Sequence, residues 1–331
     1  MDQEKKNLIV TMADANFVNQ AKQLFSSVFF NAAWPGDYLL LAYGLLEKDL
    51  NWFKEKGILV YEQPLLANSL LGVMSYPPIV LSKFYLFKEY FKQWDKIIFL
   101  DADIIVRGSL DYLIKLDGFN APKIKTFWLK DEFYNDDNNK LVELREKYPF
   151  KGRPFSTGVM VFNTDIIKTS TYKEIINLYY NYKDLYKYQE ESTLNLYFYK
   201  KWQPLPLIYN LIPSELNRLY GLNKNKVLAY IIHFPCAIIK PWNLKSDYYE
   251  EWSYNLKKAD EINLDFRPRG AKTYSDQELN RYLRFITTRK IICFLRPTYF
   301  FIDRQVGLVG LFIKKKNPKL YNLISLKNDK R

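Results

Sequence analysis

Histidine occurs once in the 331 residues, at His233, and cysteine only twice, at Cys236 and Cys293. Two isolated thiols build no disulfide framework, which points to a reducing compartment. Long apolar runs are missing as well. The longest uncharged span, residues 63–82, is interrupted by Asn68, Gly72 and Pro77-Pro78. No stretch of about 20 apolar residues is left to cross a bilayer. The mixed charges of residues 1–6 and Asp14 inside the next apolar run exclude a secretory signal pattern. These absences together predict a cytoplasmic protein. Internal repeats and low-complexity tracts are also lacking.

Aromatic residues, in contrast, are plentiful, with 27 Tyr and 23 Phe in a chain that is 48% hydrophobic. That suffices for a substantial core and for ring-stacking sites. The net charge of +13 is concentrated at one end: residues 281–331 hold 13 lysines and arginines against Asp303 and Asp329, and the rest is close to neutral. Two parts follow, residues 1–255 and a basic extension, 256–331. In the extension, Ser275-Asp276-Gln277-Glu278 has the pattern of a helix capping box. Leu279, Tyr282, Leu283, Phe285 and Ile286 then interleave with Arg281, Arg284, Arg289 and Lys290. Such a segment suits an anionic membrane surface, peripheral on the cytoplasmic face, better than nucleic acid. A helical cap with a solvated basic face is the bland alternative.

In the first part, strands are expected at 7–12, 37–43 and 58–61. They alternate with helices at 17–31, 49–56 (ended by Gly57 as a left-handed cap) and 79–91. Further strands are expected at 123–129, 156–163 and 227–234. Two more helices are expected, one opened by a capping box at Thr171–Glu174 and one over 190–199, with 131–153 as a charged loop or short helix. The alternation predicts an α/β fold with a mostly parallel sheet, whose ligands bind outside the carboxyl ends of the strands.

The chain is organised around residues 96–106, Lys-Ile-Ile-Phe-Leu-Asp-Ala-Asp-Ile-Ile-Val. A strand buried on both faces ends there in two carboxylates, Asp101 and Asp103, which need a cation to offset their desolvation. Mg²⁺ or Mn²⁺ suits two hard oxygens and takes its remaining ligands from water and phosphate. A solvated strand end is one alternative. The nucleophile motif of a haloacid-dehalogenase-like phosphatase is another, and it fits poorly, because the Asp136-Asp137 pair lies in a polar stretch. His233, at the end of a late apolar run, has the chemistry to complete such a metal site, and Lys240 to neutralise phosphate.

Six segments in order over residues 7–245 resemble glycosyltransferase family 8, the glycogenin and lipopolysaccharide galactosyltransferase group. They are Thr11-Met12-Ala13-Asp14-Ala15-Asn16-Phe17; Ser82-Lys83-Phe84; Leu100-Asp101-Ala102-Asp103 with Val106; Phe155-Ser156-Thr157-Gly158-Val159; Glu190-Glu191-Ser192-Thr193-Leu194-Asn195; and His233 to Lys240-Pro241-Trp242. The resemblance implies a GT-A-type nucleotide-sugar-binding fold and retaining transfer of a hexose-type sugar from a UDP-sugar. The acceptor would be a glycan, a glycolipid or a protein-linked group. It also implies site roles. Asp101, Asp103 and His233 would hold Mn²⁺ or Mg²⁺; Thr11, Asp14, Phe17, Lys83, Ala102 and Lys240 would meet the nucleotide; Ser156, Thr157 and Gly158 would meet the donor sugar.

The departures from the family pattern carry information of their own. Ser156 replaces an asparagine, Cys236 a glycine, and one extra residue separates His233 from Lys240. Glu191 stands in the place of a glutamine near the reacting carbon, with Glu190 preceding it. Both glutamates are candidate catalytic residues, against the alternative of a helix start favoured by the dipole. The same departures support a second reading, a catalytically degenerate, basic membrane- or nucleic-acid-binding protein on this fold.

Overall fold

The computed structural model describes residues 6–68, 77–124, 128–134, 139–213, 227–235, 237–266, 268 and 270–288. The strands are β1 (Leu8–Ala13), β2 (Asp37–Ala42), β3 (Leu59–Glu62), β4 (Lys96–Leu100), β5 (Ile104–Val106), β6 (Phe119–Ala121), β7 (Val159–Asn163), β8 (Trp202–Pro204) and β9 (Ile231–His233). The helices are α1 (Val18–Ser27), α2 (Glu47–Glu55), α3 (Asn139–Lys147), α4 (Thr171–Tyr182), α5 (Gln189–Tyr197), α6 (Tyr249–Lys257) and α7 (Asp276–Thr288). A seven-stranded sheet runs β3-β2-β1-β4-β7-β6-β8, and β5 pairs with β9 in a second, two-stranded sheet. Strands β3, β2, β1 and β4 are parallel to one another; β7 is antiparallel to both of its neighbours. The fold is α/β with a mostly parallel central sheet.

Burial explains why these segments are strands. Ile97, Ile98, Phe99 and Leu100 are inaccessible to solvent, as are Leu8, Ile9 and Val10. Full burial of each such side chain contributes about 1.5–3 kcal/mol. Rings thicken the core beside β7: Phe119 stacks on Phe198 with centroids 3.9 Å apart, and Phe87 on Phe162 at 5.1 Å. These packed rings fix the sheet edge that carries residues 155–158.

Several expected elements take a different form. The strand expected to end in Asp101 and Asp103 is β4, and the apolar residues after the aspartates form a separate strand, β5, in the other sheet. The helix over 79–91 is two 3₁₀ stretches, Pro78–Phe87 and Glu89–Gln93, separated by an extended Lys88. Residues 79–87 are all buried, so no solvent face imposes an α-helical period. The helix over 17–31 ends its α portion at Ser27 and continues as a π turn, Val28–Ala32. Of the strand expected over 123–129, residues 125–127 lie outside the described residues; the strand before it is β6, which ends at Ala121, ahead of Pro122, a residue with no N–H to give a ladder. Lys123 makes only an isolated bridge to Phe155, and Leu129 opens a 3₁₀ turn, Leu129–Glu132. Thr171 is the first residue of α4 and not its cap; its hydroxyl accepts the Lys168 N–H at 2.9 Å, outside the helix. The strand over 227–234 shortens to β9. Gly57, at φ +79°, does end its helix as a left-handed cap.

The chain forms two compact units, Met1–Ser275 and Asp276–Arg331. The expected division at 255/256 falls inside α6, which packs on α1 within the first unit. Cys236 and the tail from Arg289 onward lie outside the described residues, and with them most of the expected membrane-facing segment. Among the described residues, no helix is long and apolar enough to cross a membrane.

Candidate active site

Two strand pairings assemble the site. β5 runs antiparallel to β9 with Ile104 opposite His233, so the imidazole falls beside the carboxylate of the preceding residue, Asp103. β4 runs antiparallel to β7, and the Asp101 N–H donates to the Gly158 carbonyl at 2.8 Å, one step beyond the last ladder pair. Asp101, Asp103 and His233 each present a ligand atom, all within 4.8 Å of one another. His233 Nε2 lies 3.2 Å from Asp103 Oδ1 and 3.8 Å from Asp101 Oδ2.

The other ring nitrogen fixes the tautomer. His233 Nδ1 lies 2.8 Å from Asn210 Oδ1, an acceptor, so the proton sits on Nδ1. Nε2 then directs a lone pair at two carboxylates, and it is buried without a hydrogen-bond partner. Three electron-pair donors, a buried imidazole and two partly exposed carboxylates, converge in a way that fits a divalent cation.

Two lysines flank the triad. Lys83 is buried, with Nζ 3.1 Å from Asp101 Oδ1, 3.2 Å from Glu190 Oε1 and 3.2 Å from Thr157 Oγ1. Burial opposes its charge, but Asp101 and Glu190 together outweigh that and hold the ammonium above its ordinary range. Lys240 Nζ lies 2.6 Å from Asp103 Oδ2 and 2.7 Å from the Phe234 carbonyl. Burial also opposes ionisation of Asp103, yet the positive charge that His233 carries when its Nε2 is protonated, and then Lys240, hold that carboxyl well below the usual carboxylate range.

Glu190 and Glu191 sit in the first turn of α5. Thr157 N–H donates to Glu191 Oε2 at 3.2 Å, and Thr157 Oγ1 to Glu190 Oε1 at 3.3 Å. Burial first, then the Glu190 charge, push Glu191 up to about 8, against the opposing pull of Thr157 N–H and Lys83. The nearby Glu132 is raised well above its ordinary value by burial and then by Glu191. Asn195 locks α5 to this strand edge: its side chain accepts the Phe155 N–H and donates to the Phe155 carbonyl, both at 2.8 Å.

The triad, both lysines, Thr157, Glu190 and Glu191 open on one cleft of about 340 Å³. It is lined by Asp14, Phe17, Lys83, Asp101, Ala102, Asp103, Ser156, Thr157, Gly158, Glu190, Glu191, His233 and Lys240 among others. Asp14 Oδ1 accepts the Asn16 N–H at 2.9 Å, and Phe17 meets Trp242 edge to face at 5.9 Å. Thr11 differs from the expectation. It is buried inside β1, paired with Leu40, and its successors Met12 and Ala13 reach the cleft in its stead. The sequence reading missed Asn210 and Tyr188. Asn210 is the lone polar residue of the apolar run Leu205–Ile212, a signal of a buried partner. Tyr188 lines the cleft just before α5 and carries no sequence signal among 27 tyrosines.

Known proteins share sequence and fold with this chain. The chain is 25% identical over 209 residues to galactinol synthase 1 of Ajuga reptans, covering 59% of this chain and 61% of that one. It is 28% identical over 200 residues to the glycosyltransferase GlyB of Streptococcus pneumoniae serotype 4, covering 55% and 43%. The chain thus spans about half the length of the curated relatives it matches. Among solved structures, the galactosyltransferase LgtC in complex with donor and acceptor sugar analogues superposes with a TM-score of 0.59 at 18% identity, covering 83% of this chain and 99% of that one. An active-site mutant of LgtC, glutamine replaced by glutamate, gives 0.60 at 21% identity, covering 76% and 95%. The profile of glycosyl transferase family 8 matches residues 47–246, and the chain belongs to that family.

Proposed function

We propose that this glycosyltransferase moves a hexose-type sugar from a UDP-sugar to a glycan, glycolipid or protein-linked acceptor, with retention at the anomeric carbon. The observation that carries this reading is the convergence of the Asp101-Asp103-His233 triad, two lysines, buried Glu190 and half-buried Glu191 on one cleft. Breaking the glycosidic bond builds negative charge on a diphosphate and positive charge on the sugar, and the cleft holds groups of both signs.

A divalent cation, Mn²⁺ or Mg²⁺, bound by Asp101, Asp103 and His233 would supply Lewis-acid stabilisation of the departing diphosphate. Lys240, already on Asp103, adds positive charge where phosphate oxygens would arrive. Asp14 and Phe17 would hold the uracil, with Ala102 against the nucleotide. Ser156, Thr157 and Gly158 would meet the sugar. Lys83 neutralises Asp101 and Glu190 and leaves Glu191 as the carboxyl to face the anomeric carbon. Glu191 then stabilises the oxocarbenium-like centre as a carboxylate. The LgtC mutant makes the same glutamine-to-glutamate change by which Glu191 departs from the family pattern. The basic tail would keep the enzyme at an anionic membrane surface, close to lipid-linked acceptors.

The test is proton NMR of UDP-galactose, UDP-glucose, UDP-N-acetylglucosamine and GDP-mannose incubated with the enzyme and Mn²⁺. At least one UDP-sugar is turned over, GDP-mannose is not, and the first sugar product is the α anomer. A β anomer appearing first contradicts retention. Because Glu191 must lose its proton to act, the rate rises with pH. Its midpoint lies at or below about 8, since a bound cation only favours the carboxylate. Glu191→Gln removes that rise; a Gln variant with the wild-type rate and profile rules the role out.

A further inference from the structure

We propose that Trp128, braced by Arg153, is a stacking platform for a pyranose ring of the acceptor, at the sugar end of the cleft. This rests on the transferase reading for the class of ligand. Trp128 is 48% exposed, large for a tryptophan, yet it is held from several sides. The Arg153 guanidinium sits 3.9 Å from the ring centroid, over one face. The Trp128 N–H donates to Asp131 Oδ2 at 2.7 Å, and the next residue, Leu129, donates its N–H to the Gly152 carbonyl at 3.1 Å.

The place of this segment gives it a role. It is hydrogen-bonded to two backbone stretches that run on into residues lining the cleft. On one side, Gly152 and Arg153 lead into Ser156, Thr157 and Gly158. On the other, Lys187 N–H donates to the Glu132 carbonyl at 2.8 Å, just ahead of Tyr188, Glu190 and Glu191. A rigid, amphipathic ring, about half exposed and with a cation over one face, costs little entropy to stack on. The apolar C–H face of a pyranose fits that surface.

Saturation-transfer NMR tests this on the full chain with lactose, maltose, cellobiose and N,N′-diacetylchitobiose as probes. At least one disaccharide receives saturation on its ring protons from the wild-type protein. Its affinity falls about tenfold in Trp128→Ala and is largely kept in Trp128→Phe, as expected for one stacked ring. Absence of transfer to all four sugars, or equal affinity in Trp128→Ala, overturns the proposal. Both variants must keep the wild-type melting response to UDP with Mn²⁺, which reports fold and donor site. If the wild-type protein itself lacks that response, the transferase reading fails instead.

Discussion

Gly158→Ala is expected to lower Mn²⁺ affinity by about a hundredfold, the upper end of what a group supporting a metal ligand contributes. A β-carbon built at Gly158 overlaps His233 Cε1 and lies 2.9 Å from Nε2 and 3.0 Å from Asp101 Oδ2. The backbone there needs no left-handed conformation, so the cost comes from the methyl group alone. His233 is buried and tied to Asn210 through Nδ1, so the ring cannot swing aside without breaking that bond. The variant also loses about 1–3 kcal/mol of stability from overpacking. Calorimetric Mn²⁺ titration, with circular dichroism to confirm the fold, decides the matter. Unchanged Mn²⁺ affinity in a folded Gly158→Ala protein would mean that His233 is not a ligand.

Lys83→Met is expected to cost about 3–5 kcal/mol of unfolding free energy, because removing one partner of a buried ion pair leaves uncompensated charge behind. The side chain of Lys83 is 3% exposed, and its two carboxylate partners, Glu190 and Asp101, are 10% and 22% exposed. The isosteric methionine fills the space and answers neither charge. Adding Glu190→Gln to Lys83→Met removes one of the stranded charges and restores part of the loss. Urea denaturation measures both variants. A loss below about 1 kcal/mol would place Lys83 among solvated surface pairs, in conflict with its burial.

The metal site was legible because its chemistry is written into short segments. An apolar run that ends in Asp101 and Asp103 signals a strand with a charged end, and the solitary His233 closes another apolar run. The sequence does not display the partner that orients His233, because Asn210 arrives from a separate stretch and meets it only through folding. The β4–β5 break was hidden for a related reason. Apolar residues resume after Asp103 with the same pattern as before Asp101, and only tertiary pairing assigns β4 to β7 and β5 to β9. Helix period misled at 79–87, where burial on all sides removes the polar face that a period needs. Register with Leu194-Asn195 singles out Glu191 as a candidate, and the structure shows what that register does locally. Asn195 clamps Phe155, which brings the first turn of α5 against Thr157. Trp128 had no such marker, since exposure and the Arg153 contact belong to the fold and not to the local pattern.

The central claim is that one cleft binds a metal ion and a uridine diphosphate together. The most direct measurement is the melting temperature of the protein with UDP, GDP and CDP, each with and without Mn²⁺, repeated for Asp103→Ala. A ligand at a hundred times its Kd stabilises by about 2.7 kcal/mol, or about 5 °C in a protein of this size. The account predicts a rise of that order with UDP, only when Mn²⁺ is present, and its loss in Asp103→Ala. An equal response to all three nucleotides, a UDP response indifferent to Mn²⁺, or none at all would contradict it.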